Sequence, residues 1–577
     1  MSRNVILAAV AVAAASVLGG CATSVDEAPF DPRGLAANQR EAAKGLAPSE
    51  SLALPGKLDS LADSPVTPKE RFKDEGLLNP LSTEPKVVKI DLREAIQRAV
   101  VNNLDVKVAS YSPAIEETRY TEADARFDPT FIFNPTIERN KTVQFAGGGQ
   151  VLGADYTRAA VETGIRQLLD TGGEYSLTYS LQHVDAGNSA PPSAFGQNSA
   201  SNQYYQELRL QITQPILRDF GRDTNRARIT INRNNQQIAV LDFREKLEET
   251  LVNLERTYWT LVQAQREVEI QQELLQNTIN TANTLYQRRD QDVNRLQISQ
   301  ANSSIETRRA QLVRAKARVA DFGDDLKLLM SDSQIAVGGT ELLLPATPPA
   351  LQQVLLDPAN QIDAALLNRQ ELGQQQLRID SALVALRVAK NNEQPRLDLV
   401  GSASLQGSAE EFDDSLYEFG IEQFGSGYTG LMSLGFQYEY PLGNRAAKSI
   451  FRRAQLQYLQ ANDSYRQIIE KVVSDVKKAC REVQTTWTEI VRTRQAQFAA
   501  ADALRSVQIR EDASEPLTPE FVDLKLRQQE TLAQAQRDHA AAVSGYNISL
   551  AALERVKGTL LKYNNVVMEE ATLPKTR

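Results

Sequence analysis

The sequence predicts a mixed α and β protein in which one unit, a helix followed by strands and then very long helices, is written twice. Three observations carry this. "VVNNLDVKVA" (100–109) and "LLNRQELGQQ" (366–375) each open a helical stretch that ends at a proline, and Asn103 to Pro129 and Arg369 to Pro395 both span 26 residues. Residues 222–322 and 444–515 contain neither Gly nor Pro, and each run holds one of the chain's two tryptophans. Trp259 lies 44 residues past Pro215, and Trp487 lies 46 past Pro441. Between helical stretch and long run, apolar and polar residues alternate, which is the period of a strand.

The chain opens on Arg3 and a short apolar run, Val5 to Leu18. That run is too short to span a bilayer, which takes about 20 apolar residues, and residues 1–20 read as a secretory signal peptide. Leu18-Gly19-Gly20-Cys21 resembles the bacterial lipoprotein lipobox, in which the cysteine thiol receives a diacylglycerol and becomes the new N-terminus. The resemblance makes Cys21 the lipidation site, with acyl chains such as palmitate contributing about 0.8 kcal/mol per buried methylene. The other reading is an ordinary signal with a chance cysteine. Residues 21–86 are rich in Ala, Pro, Ser and charge without a sustained period, as in an extended tether with no core of its own.

Composition excludes several function classes. A net charge of -9 makes nucleic acid a poor partner. Beyond Cys21 only Cys480 remains, so an exported chain has no disulfide framework here. With His183 and His539 as its only histidines, the sequence has no Cys/His metal cluster, no Ser/His/Asp order and no phosphate-cradling glycine loop. Carboxylates are scattered along helices, where a solvated face is their ordinary place. No cofactor, metal or catalytic site is expected, and the protein is not read as an enzyme.

The first repeat is placed at 87–345 and the second at 346–577. In the first, "PTFIFNPTIE" puts Phe131 and Phe133 on one strand face, and "LRLQITQPI" alternates Leu208, Leu210 and Ile212 with polar neighbours. In the second, "LDLVGSASLQ" and "LGFQYEYPL" do the same, the latter aligning Phe436, Tyr438 and Tyr440. The pattern fits a half-buried strand of a soluble sandwich, and equally a membrane strand with its apolar side to lipid. The interval from Pro129 to Pro215 is 86 residues against 46 from Pro395 to Pro441, a surplus of about one hairpin around "GIRQLLDTGGEYSLTYSLQ". In the first long run Leu247, Leu251, Leu254, Tyr258, Leu261, Val268, Leu275, Ile279 and Tyr286 keep a four-three alternation, the 3.5-residue period of helices wound side by side.

These segments resemble the outer-membrane efflux proteins, the TolC-like trimeric channels. The resemblance rests on "IDLREAIQRAVVNNLDVKVA" (90–109), its echo "AALLNRQELGQQQLRIDSALVAL" (364–386), and the strand-to-helix junctions "LQITQPILRDFGRD" and "FQYEYPLGNRAAK". It implies a homotrimer whose antiparallel helices form an α-barrel through the periplasm below one transmembrane β-barrel of four strands per protomer. It also implies a periplasmic adaptor protein and an inner-membrane pump as partners, in tripartite efflux or type I secretion. Two departures stand out: the surplus hairpin, which could be extra strands or an extracellular extension, and the absence of glycine from the first helix reversal, "RRDQDVNRLQIS" (288–299).

Two sets of site residues follow. Phe131, Phe133, Phe436, Tyr438 and Tyr440 are expected to face outer-membrane lipid or its interface. Both helix reversals fall at the end farthest from the strands, and polar residues gather there: Asp290, Asp292, Asn294, Arg295, Glu511, Asp512, Glu515 and Glu520. In a trimer an inward carboxylate repeats as a ring that selects cations, so these are candidates for a periplasmic gate. The bland reading is that helix turns are simply polar. A different class of function is a lipid-anchored coiled-coil stalk without a pore; the alternating aromatic strands argue against it. Four unclustered methionines give no soft-metal path, and the transported substrate has no signature.

Overall fold

The computed structural model describes residues 87–146, 150–185, 202–288, 293–339, 341–409, 429–513 and 517–566. Cys21, the signal peptide, the tether, Asp290, Asp292 and Glu515 lie outside them. In chain order the first half comprises β1 (Val87–Ile90), α1 (Leu92–Asn102), α2 (Leu104–Asp124), β2 (Thr130–Ala146), β3 (Gln150–Leu168), β4 (Glu174–Asp185), β5 (Asn202–Pro215), α3 (Ala227–Gln287) and α4 (Arg295–Met330). The second comprises β6 (Leu342–Pro345), α5 (Pro358–Asn368), α6 (Gln370–Asn392), β7 (Arg396–Ala409), β8 (Thr429–Glu439), α7 (Arg445–Asp512) and α8 (Pro519–Val556). Corresponding helices are close in length: 11 and 11, 21 and 23, 61 and 68, 36 and 38 residues.

Local chemistry sets the boundaries. Asn103 caps α2 by accepting from the Val106 N–H at 3.0 Å, and its amide donates to the Leu329 carbonyl at 2.7 Å. After α2, Asp128 is extended (φ -69, ψ 143), as a residue before proline must be. Asp357 with Pro358 starts α5, and Thr518 with Pro519 starts α8, the polar cap and first-turn proline that suit unpaired helix N–H groups.

Two sheets result. β1 and β6 form a small parallel pair. The other six strands form one antiparallel sheet in the order β2-β3-β4-β5-β7-β8. The surplus hairpin is thus part of the sheet: β3 pairs with β2, and β4 pairs with β5.

Buried apolar side chains follow the helices. One cluster joins α1, α3, α4 and the small sheet around Leu251, Leu254, Tyr258, Val319 and Leu343. Another joins α5, α7 and α8 around Val472, Val476, Val483 and Tyr546. The α3 seam holds from Leu247 to Val268, all six of its residues buried, and then turns: Tyr286 is 47% exposed, while Ile270, Leu274, Ala282 and Leu285 are buried instead. A straight α-helix drifts about 20° per heptad from a 3.5 period. Over this stretch Ala533 of α8 packs on Ile270 and Leu274.

Two buried tyrosines hang the connecting segments on the helices. The Tyr258 hydroxyl donates to the Ile90 carbonyl at 3.1 Å and accepts from the Thr347 N–H at 3.0 Å. Tyr546 in α8 likewise donates to Gln352 at 2.7 Å and accepts from Val354 at 3.2 Å. Tyr258→Phe takes this partner from the Thr347 N–H in a half-buried site, at a cost toward the lower end of the about 1–3 kcal/mol of a fully buried unpaired donor. The expected result is a lower unfolding midpoint in detergent with unchanged helix content; an unchanged midpoint would show that the strap is not held there.

Candidate functional site: a two-faced sheet and a helical tip

The register of the six-stranded sheet separates its side chains by chemistry. The row Phe131, Ile165, Leu177, Leu210, Ala403, Met432 crosses all six strands on one face. The row Asn134, Glu162, Ser180, Glu207, Gln406 crosses five of them on the other. Successive residues of a strand point to opposite faces, so Phe133, Phe436 and Tyr438 share the apolar side, and Tyr440 continues their alternation just past β8. All five aromatics are exposed in the chain: Phe131 59%, Phe133 40%, Phe436 69%, Tyr438 64% and Tyr440 42%. So are Ile165, Leu177, Leu210, Ile212, Met432 and Leu434. An apolar face of this extent is far from the scattered exposed hydrophobes of an ordinary surface.

The opposite face is wet in character. Where it meets Arg126, just past α2, and the end of α6 there is an open hollow of about 770 Å³, lined by Glu162, Arg166, Glu174, Gln211, Arg396 and Asp398 among others. Arg396 pairs with Asp398 at 2.7 Å and Arg209 with Glu207 at 2.7 Å. The six strands of this sheet run from 11 to 19 residues, and a tilted strand needs about 9–11 to cross the hydrocarbon. Among the described residues no helix is long and apolar enough to do so, and no group of His, Cys, Asp and Glu could hold a metal ion.

At the other end of the long helices the two reversals come together. Ala282, Leu285, Val293 and Ala301 of the first pack with Val507, Leu517, Phe521 and Val522 of the second. The Gln297 side chain donates to the Leu517 carbonyl at 2.5 Å, and Lys525 of α8 pairs with Glu511 of α7 at 2.5 Å, both largely buried. Asn294 is the cap of α4, accepting from Leu296 and Gln297 in a capping box. Arg295 and Glu520 are exposed, and Glu520 sits in the first turn of α8, where the helix dipole favours a carboxylate. Further along, Arg308 is buried between α4 and α8 and donates to the Leu526 carbonyl at 3.2 Å. Burial holds its pKa below the usual arginine value despite the nearby Glu530 carboxylate.

Sequence reading named Glu511 but missed its partner Lys525, fourteen positions on across the reversal. It also missed Gln297, although Asn294 followed three residues later by Gln is a capping-box signal.

No family model matches the chain, and no curated protein does. Solved structures do. A structure of CusC shares 14% identity, with 82% of this chain and 93% of that one aligned at a TM-score of 0.59. The CmeC outer membrane channel of Campylobacter jejuni shares 15%, over 84% and 92%, at 0.55. The MtrE outer membrane channel of Neisseria gonorrhoeae, in its open state, shares 15%, over 81% and 89%, at 0.55. With its two-faced sheet set on long paired helices, the chain has the fold of TolC-like outer-membrane channels.

Proposed function

We propose that this protein is an outer-membrane channel of a tripartite efflux or type I secretion system. Three copies form the duct, and it passively conducts substrates delivered by an inner-membrane pump through a periplasmic adaptor. The observation that carries the reading is the sheet with one apolar and one charged face, since a lipid-anchored stalk has no use for either. The matched element order and lengths of the two halves support an internal duplication, whose equal long helices would tile a cylinder. Cys21, carrying a diacylglycerol, adds a lipid anchor to the outer membrane.

The tip is the proposed gate. Asp290, Asp292, Asn294, Arg295, Glu515 and Glu520 cluster around reversals whose described parts pack on each other, and a threefold axis would repeat each carboxylate as a ring. Single-channel recording of the full-length protein in planar bilayers tests both claims. Discrete conductance steps are expected, with larger steps and weaker block by divalent cations after Asp290→Ala with Asp292→Ala. A protein that inserts without any steps is the stalk; steps unchanged by the double substitution move the gate elsewhere.

A further inference from the structure

From the sheet we infer that the surplus hairpin stands in the membrane wall, so that each copy supplies six strands and three copies close an eighteen-stranded barrel. The inference rests on the trimeric channel reading and adds to it the size of the duct and the surface by which copies join.

The hairpin is built into the sheet along its whole length. β3 is laddered to β2 from Gln150–Ala146 to Arg166–Thr130, and β4 to β5 from Glu174–Thr213 to Asp185–Asn202. Its own turn is fixed where β5 hands over to the helices. The Gly221 N–H donates to the Thr171 carbonyl at 3.0 Å, Arg222 pairs with Asp170 at 2.8 Å, and the Thr171 hydroxyl donates to Gln214 at 3.1 Å. Gly172 has φ +93, and a Cβ there would lie 2.2 Å from the Asp219 carbonyl oxygen, so the close approach requires glycine. A hairpin tethered at that end, and carrying Ile165 and Leu177 level with Phe131 and Leu210, shares the depth and the outer face of its neighbours.

The sheet edges point to the partner. In the described residues β2 and β8 each have a neighbour on one side only, and unpaired backbone groups in hydrocarbon cost several kcal/mol each. Six strands are too few to close on themselves, since the smallest membrane barrels have about eight. Five successive antiparallel ladders make β8 run opposite to β2, so a second copy rotated about the barrel axis offers its β2 antiparallel to β8 with both apolar faces outward. Barrel diameter grows roughly linearly with strand number, so the lumen at membrane level is about 1.5 times as wide as a twelve-stranded one. Glu162 and Ser180 then line it, and the narrow point lies in the helices.

Electron cryomicroscopy of the full-length protein in lipid nanodiscs reads copy number and strand number separately. The expected image is a threefold ring of eighteen strands, with β8 of each copy beside β2 of the next. A threefold ring with four wall strands per copy, and residues 164–182 outside it, would overturn the inference and leave the channel reading standing. A ring of other than three copies overturns the count of eighteen and the trimer together. An image without a closed ring of strands overturns the channel itself.

Discussion

Leu177→Arg combined with Phe436→Arg is expected to abolish insertion of the sheet into a bilayer, while the helices still fold. The two side chains lie far apart on the apolar face, in β4 and near the free edge of β8, and both are exposed in the chain. A guanidinium facing the bilayer midplane of a membrane sheet costs about 2–4 kcal/mol, less toward the interface. Two per copy, repeated around an assembly, amount to a cost comparable with the margin of about 5–15 kcal/mol by which proteins commonly hold together. The control is on the other face: Ser176→Arg and Gln437→Arg, each next in sequence to one of these sites, put the same charge where Arg166 and Arg396 already stand, and should insert normally. Recovery of liposome-inserted protein after flotation distinguishes them. Equal loss for both pairs would mean that arginine harms the strands wherever it is placed, and that the two faces are not what separates them.

Glu248→Gln is expected to raise stability at alkaline pH and to remove a pH dependence the natural protein shows. Glu248 is buried in α3 far from the sheet, and Gln370 of α6 donates to its carboxylate at 3.3 Å. Burial first, and the nearby Glu371 carboxylate second, raise its pKa from 4.5 to about 7, against partial relief from Arg555 and Arg369. The folded state therefore binds this proton more tightly than the unfolded state does. Its contribution is fully present below pH ~4.5 and is lost as pH rises through about 7. At about 1.4 kcal/mol per pH unit, that interval sets a ceiling of about 3 kcal/mol. Apparent melting midpoints of the helical circular dichroism at pH 5, 6, 7 and 8 should fall with pH in the natural protein more steeply than in the variant. Parallel curves would show that Glu248 keeps its charge on folding without penalty.

The parts of this fold legible in the sequence are those written in local periods. Phe436 and Tyr438 sit two apart, so their shared face is fixed by the strand pleat alone; Leu247 to Val268 recur every three or four residues, so their burial follows from the helix alone. What tertiary packing decides was not legible. After Val268 the buried face of α3 is set by what it meets there, Ala533 of α8 beside Ile270 and Leu274, and the second reversal beside Ala282 and Leu285. Glu248 is set by Gln370 and Glu371, more than a hundred positions away. Lys525 finds Glu511 only because the chain reverses between them. The placement of the surplus hairpin depends on whether β4 pairs with β5, and nothing in "LLDTGGEYSL" states the partner.

Accessibility scanning along β8 tests the central claim, a sheet with one side to lipid and one to water, most directly. Single cysteines at Leu434, Gly435, Phe436, Gln437 and Tyr438, in a Cys480→Ser background, carry an environment-sensitive fluorophore in liposomes. Lipid-attached quenchers are expected to dim positions 434, 436 and 438, and a water-soluble quencher positions 435 and 437. Quenching that does not alternate, with 437 responding like 436 and 438 to both reagents, would contradict it.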